Sequence, residues 1–386
     1  MTDFEAIAAG AAVLASGGGG SYQDALAILQ QLNESGWQGT VTVQDYDGAT
    51  NGCVLAIMGS PDAADNLTLA NVANAIRNTV AVFEASTGSP LGCVIPVEIG
   101  PINSLVPLIA AALSGGRLWV VNGDGAGRAV PELPQTTFGG SKSLAPCPCA
   151  LASDTDAASE VESAVLKANT AAKVETLAGG VVAGFGGYSG IALWPSNASN
   201  GYALSGNYIA GTLAQARGLG QLLLNATTPL STAEVAFAIA EITGRAAQTI
   251  VTNFYITAVT QSTSSASLDS GIIRLDNAPL QSDSTQTHYL YNLNENLIMY
   301  STSSAVPDVI APDSICYYSE STGRGFSNAS DDLAAYFNAT TGKSTGCTVS
   351  IIGVRAATQL YQATGVLASF AGLLRNIGYA GAMPLA

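Results

Sequence analysis

Apolar and polar positions fall into two regimes along this chain, and the change comes near residue 248. Before it, short apolar runs alternate with stretches of helical spacing. Residues 4–15 and 23–33 carry apolar residues three and four apart, which predicts two amphipathic helices joined by "SGGGGSY". "TVTVQDYD" (40–47) alternates as a strand does. "CVLAIMGS" (53–60) and "GCVIPVEIG" (92–100) are unbroken apolar runs, as in strands covered on both faces. Ser60 followed by Pro61 predicts an N-cap and first helical turn, with the helix inside 62–85. A helix over 103–114 and an apolar strand over 117–125 repeat the unit. Helical spacing returns at 158–175, 206–224 and 232–243, with glycine-rich "AGGVVAGFGGYSG" at 178–190.

From 248 the pattern becomes a series of short β-rich runs with turn residues between them, among them "TIVTNFYITAVTQST", "HYLYNLNENLIMY" and "CTVSIIGVRA". Helical spacing reappears only at 358–376. Strands alternating with helices pair in parallel through right-handed crossovers. The predicted fold class is therefore α/β: a three-layer N-terminal domain with a parallel sheet, over 1–172. A C-terminal α+β domain follows over 173–386, containing a mostly β module at about 247–355. There is no internal repeat and no low-complexity linker.

Composition narrows the chemistry. Of 386 residues 48% are hydrophobic, enough for a well-buried globular core. The formal charge of −15 reflects a scarcity of Lys and Arg (13) more than a wealth of acids (28). Without a basic cluster to follow phosphates, nucleic-acid and membrane partners are not expected, and a small molecule is. The first 16 residues lack the positive leading region of a secretory signal, so the cytoplasm is the expected location. Six cysteines are too few for a disulfide scaffold, and Cys147-Pro-Cys149 lacks metal-site spacing. His288 is the single histidine, which leaves no His-rich zinc site and no His-based triad unless His288 is itself the base.

Candidate chemistry collects where two predicted strands end, since open parallel sheets bind ligands at the carboxyl ends of their strands. One strand runs out at Glu98, followed by Asn103. The other leads into "NGDGAGRAVPE", with Asn122, Asp124, Arg128 and Glu132. Buried acids beside an arginine have shifted protonation, as general acid–base work requires. The plain alternative is an acid–arginine pair that only pins a loop. Gly18, Gly19 and Gly20 could supply backbone amides to a ligand oxygen. They match neither nucleotide-binding glycine motif, so no nucleotide is expected. "GGYSG" (186–190) does not have nucleophile-elbow spacing. In the β module, "NLNENL" places Glu295 between two asparagines as a further site candidate, and "PDVIAPD" holds Asp308 and Asp313.

Taken in order, "LASGGGGSY", "PVEIGPINSLVPLIAAA", "NGDGAGRAVPELPQTTF", "SGNYIAGTLAQARGLG", "YNLNENL" and "PDVIAPDSICYYSESTGRG" resemble the S-methyl-thiohydantoin desulfurase family, often encoded near hydantoinase/oxoprolinase enzymes. The GDGAGRAxPE stretch is the most specific part. The chain departs from the family at Gly100-Pro101, where Gly-Gly is usual, and at Asn122, where Asp is usual. The resemblance implies two domains with a cleft between them, and a hydrolase of small five-membered cyclic amides or thioamides. Water would attack the ring carbon bearing S-methyl and methanethiol would depart. Glu98 or Asp124 would serve as base, with Arg128 and glycine-loop amides on the ring oxygens. Glu132 would orient Arg128, and Asn103 would bond a ring amide. A divalent metal held by carboxylates stays open, with no ligands placed. So does the alternative of a non-catalytic subunit or ring-binding partner of a hydantoinase-type enzyme, as does assembly into a homo-oligomer.

Overall fold

The structure, a computed structural model, describes residues 2–59, 67–263 and 269–384. The helix start expected at Ser60-Pro61 lies outside them. The chain begins with α1 (Thr2–Leu14) and α2 (Tyr22–Glu34), then alternates β1 (Val43–Gln44), β2 (Gly52–Gly59), α3 (Leu69–Thr87), β3 (Cys93–Pro96), α4 (Pro101–Leu113) and β4 (Trp119–Val121). The pairs β1–β4, β4–β3 and β3–β2 are parallel, with Val54 opposite Ile95 and Val94 opposite Val120. Both faces of this sheet are covered, which is why its strands read as continuous apolar runs. Cys53, Leu55 and Ile57 of β2 face the core built by α1–α4, while Val54 and Ala56 face the opposite core.

A short β5 (Gly123–Asp124) leaves the sheet, and the chain returns through β6 (Cys149–Ala152), β7 (Ser163–Leu166), α5 (Ala171–Gly184) and β8 (Tyr188–Ser196). These three strands extend the sheet on the far side of β2, all antiparallel, giving the order β1-β4-β3-β2-β8-β6-β7 among the described residues. The N-terminal domain is thus three-layered with a parallel half, as expected, and carries an antiparallel half as well. The helix expected at 158–175 starts later: Ser163–Leu166 is an edge strand, and Thr170 caps α5 by accepting from the Lys173 amide. α5 then runs through Gly179 and Gly180, about 1 kcal/mol less favourable per residue than alanine.

After β9 (Ile209–Ala210), which pairs with β5, come α6 (Thr212–Asn225) and α7 (Thr232–Thr243). The mostly β part follows: β10 (Ala247–Thr263), β11 (Asp269–Asp276), β12 (Thr287–Leu293), β13 (Glu295–Ser301), β14 (Val309–Ile310) and β15 (Ser314–Tyr318). A small ribbon of β16 (Phe337–Asn338) and β17 (Lys343–Ser344) precedes β18 (Thr348–Val354), and α9 (Thr358–Gln362) and α10 (Val366–Asn376) end the fold after the short α8 (Ser330–Leu333). The sheet order β14-β13-β12-β11-β10-β18-β15 brings its two ends back toward each other, close to a barrel. One continuous apolar core reaches from β2 and α1–α4 through α6 and α7 to Cys316, Tyr318, Ile352 and Val354 of this second sheet.

The joint at α1 is tight. Gly10 and Gly220 let α1 and α6 cross backbone to backbone: a Cβ on either would overlap a carbonyl oxygen, of Ala216 or Ala6. Among the described residues no helix is long and apolar enough to cross a membrane.

Candidate active site

The first carboxylate of the site follows β3 directly. Glu98 is 5% exposed; its Oε2 accepts from the Val130 amide at 2.7 Å and its Oε1 from Asn103 Nδ2 at 2.8 Å. Asn103 lies in the first turn of α4 and is itself fixed by accepting from the Ile57 amide of β2. The glycine loop closes over this corner. Gly19 donates no side chain and its carbonyl caps α4 by accepting from the Ile102 and Asn103 amides. At φ +71° it approaches Gly100 so closely that a Cβ on either glycine would strike the other's Cα.

The second carboxylate comes from the other sheet. Strands β12 and β13 reverse at Asn294, whose φ of +55° is a left-handed conformation that Asn tolerates better than most residues. Glu295 is the next residue, 4% exposed, and its carboxyl lies where a Cβ on Gly18 would be. The joint is fixed by the Asn296 amide donating to Ser16 O and the Asn328 amide to Gly17 O. Glu295 Oε2 is buried and has no hydrogen-bond partner among the described residues.

Both acids line one cavity of about 110 Å³, together with Gly19, Gly20, Asn103, Glu132 and Glu175. That is comparable with the roughly 150 Å³ that admits a benzene ring. Ala56 to Gly59 at the end of β2 and Ile191 and Leu193 of β8 complete its apolar wall. Burial pushes Glu98 up to about 7, against the pull of the Val130 amide and Asn103. Burial also raises Glu295 well above the carboxylate range, and the charge of Glu98 raises it further while Arg128 pulls it down. The charge of Glu98 therefore favours the neutral, proton-bearing form of Glu295 beside it.

Of the other expected site residues, Glu132 lines the cavity and the rest lie outside its lining. Asp124 is fully buried and accepts from the Ala126 and Gly127 amides, so it shapes the glycine turn; burial raises it to about 6. Arg128, also fully buried, donates to the carbonyls of Ala129, Asn296, Pro312 and Asp313 and lies 5.7 Å from the Phe370 ring. Its donors join the two domains, so the expectation that it holds ring oxygens does not match its position. Nor does Glu132 orient it: Glu132 accepts from Gln135 Nε2 and forms no ion pair among the described residues. Asn122 lies elsewhere, accepting from the Ala214 amide at the start of α6. His288 pairs with Asp308 on the second sheet, outside the cavity lining. Asp313 accepts from the Ala356 amide and Tyr361 hydroxyl. Among the described residues no group of three or more His, Cys, Asp or Glu is placed to hold a metal ion.

Residues 2–163 match the S-Me-THD-like N-terminal domain, and residues 168–368 match the S-Me-THD-like C-terminal domain. The chain belongs to the S-Me-THD-like family. A crystal structure of a protein from Chromobacterium violaceum shares its fold at a TM-score of 0.80, with 25% identity over all of this chain and 97% of that one. No curated protein matches. The two departures of this S-Me-THD-like chain now have physical readings. Pro101 is the first residue of α4, where the missing N–H costs nothing. Asn122 acts through a carboxamide oxygen on a helix amide, a role an Asp oxygen would fill equally well.

Sequence reading missed Glu175. It lies on α5 and accepts from the Leu133 amide, and burial lifts it to about 7. A lone Glu in "AAKVETLAGG" looks solvent-facing, and only the tertiary fold brings it to the cavity.

Proposed function

We propose that the protein is a hydrolase of small five-membered cyclic amide or thioamide compounds, releasing methanethiol from S-methyl-thiohydantoin-like rings. The observation that carries this reading is the pair Glu98 and Glu295, delivered by different domains to one ring-sized cavity with opposed ionisation. One base and one acid facing the same space suit the addition of water to a C=N bond.

In the proposed cycle, Glu98 takes a proton from water as the water oxygen bonds to the ring carbon bearing S-methyl. Glu295, in its acid form, protonates the ring nitrogen that receives the C=N electron pair. The adduct then collapses: its hydroxyl returns a proton to Glu295 and becomes the carbonyl. The C–S pair leaves with sulfur, and methanethiolate takes the proton from Glu98. Both carboxyls end as they began. Thiolate leaves readily, so a single acid–base pair is sufficient equipment. Asn103 and Val130 fix the base, and the apolar wall of β2 and β8 limits competing water.

The test is methanethiol release by the purified chain from S-methyl-thiohydantoin, followed with a thiol-reactive dye. Glu98→Gln should lower turnover by at least about 10²-fold, the usual size of a lost general base. Absence of release, with a hydantoinase-type enzyme co-purifying, would replace this reading with that of a ring-binding partner.

A further inference from the structure

Glu98 and Glu295 come from different domains, so their alignment is only as fixed as the joint between those domains. On the Glu98 side the joint is short: Asn103 Nδ2 holds Glu98, and the Gly19 carbonyl accepts from the Asn103 amide. The glycine loop is thereby tied to the base. On the Glu295 side one buried side chain makes the link. Asn328, 1% exposed in the segment between β15 and α8, donates its backbone amide to Gly17 O at 2.8 Å. Its Nδ2 donates to Asn294 O at 2.8 Å and to Asn296 Oδ1 at 2.9 Å. Its Oδ1 accepts from the Tyr317 hydroxyl at 2.8 Å, and its backbone carbonyl from Gln261 Nε2 at 2.9 Å. Each polar group of Asn328 therefore has a partner, and two of those partners lie on either side of the Glu295 carboxyl.

We infer that Asn328 is the positioning residue of the acid: it holds the Asn294 turn against the glycine loop and so aims Glu295 into the cavity that Glu98 lines. Asn294 O belongs to the planar peptide unit that joins Asn294 to Glu295, in the left-handed turn described above. A donor on that oxygen fixes the plane of the unit, and with it the direction in which the Glu295 side chain leaves the backbone. The same residue holds Gly17 O, next to Gly18, whose missing Cβ is the space the Glu295 carboxyl fills. Gly17 leaves no slack: a Cβ there would lie 2.7 Å from Asn296 Nδ2 and 2.8 Å from Asn328 Nδ2. Asn328 does not line the cavity and acts only through Glu295. The inference rests on the ring-hydrolase reading above and adds the residue on which alignment of its acid with its base depends. A misplacement of about 1 Å costs about 10²-fold in rate, so a chain that folds without this carboxamide still loses its chemistry.

The test is a mutant cycle read as methanethiol release. Asn328→Ala keeps the backbone amide on Gly17 O and removes the donor from Asn294 O. Its kcat per folded molecule should fall about 10²-fold, with KM within about threefold of the parent chain. Made on Glu295→Gln, the same substitution should lower kcat less than about threefold, because the group it aims is already gone. A loss of similar size in both backgrounds, or a loss carried by KM, overturns the inference and leaves Asn328 a part of the frame. If Asn328→Ala does not fold, Tyr317→Phe takes its place in the cycle, since it keeps the ring and removes the donor to Asn328 Oδ1. A fall of at least about threefold in kcat that vanishes on Glu295→Gln sustains the inference. An unchanged kcat, or an equal fall in both backgrounds, overturns it.

Should the parent chain release no methanethiol, the ring reading fails, and the placement of Glu295 is read without turnover, by infrared spectroscopy of the free protein. The carboxyl band that is missing from Glu295→Gln reports the surroundings of that one acid. A shift of this band in whichever of Asn328→Ala and Tyr317→Phe folds sustains the inference. A band that stays in place overturns it.

Discussion

Gly18 has no left-handed backbone requirement, so the space its missing side chain leaves is what matters there. Gly18→Ala would place a methyl group on the Glu295 Cγ and carboxyl, side-chain atoms and not backbone. Overpacking of this size costs about 1–3 kcal/mol, while turnover per folded molecule falls about 10²-fold through displacement of the acid. Arg128 should behave in the opposite way. Arg128→Ala strands four carbonyls from two domains, and the expected loss is about 3–5 kcal/mol by urea titration. Activity per folded molecule should suffer less than in Gly18→Ala. These two positions show what a motif conveys. "GDGAGRAVPE" marks a place where the chain is tightly constrained, yet Asp124 and Arg128 spend their polar atoms on the frame, and only Glu132 of its charged residues reaches the cavity.

Among the elements, the crossing of α1 and α6 is the most demanding. Gly220→Ala would drive a Cβ into Ala6 O, main chain that cannot rotate aside. A loss of at least about 3 kcal/mol is expected, read as a lower urea midpoint with the slope unchanged. Elements with strong periods were legible: α1, α2, β2, β3 and the β-rich run after 248 all lie close to where spacing put them. β6–β7 were not, because "SAVL" at an edge alternates only weakly and the helical spacing of its neighbours overran it. The expected strand at 40–47 contributes only Val43 and Gln44 to a ladder, both exposed at the sheet edge. At the site, Glu98 was legible because it ends a buried strand. Glu295 carried a weaker signal, a charge inside an apolar strand, and its partner across the glycine loop was visible only in three dimensions.

For the molecule as a whole, the buried acids set an unusual response to pH. Asp124 is raised to about 6, Glu98 and Glu175 to about 7, and Glu295 higher still. A carboxyl raised on folding stabilises the fold while protonated. That contribution is complete below the ordinary carboxylate range, near pH 4, and is lost as pH rises through 6 to 7 and beyond. For Glu98 alone, a rise from 4.5 to about 7 corresponds to about 3 kcal/mol. The melting temperature should therefore be higher at pH 5 than at pH 8, and Glu98→Gln should flatten that slope. The core that runs without interruption from α1 to β18 has a different consequence, for synthesis. α1 is synthesised well before part of the core it shares, Tyr318 of β15 and Val354 of β18 included. Until β15 and β18 emerge, α1 is covered by α2, α4 and α6 but the core it belongs to stays open on the side of the second sheet, so that core closes only after both sheets have been made.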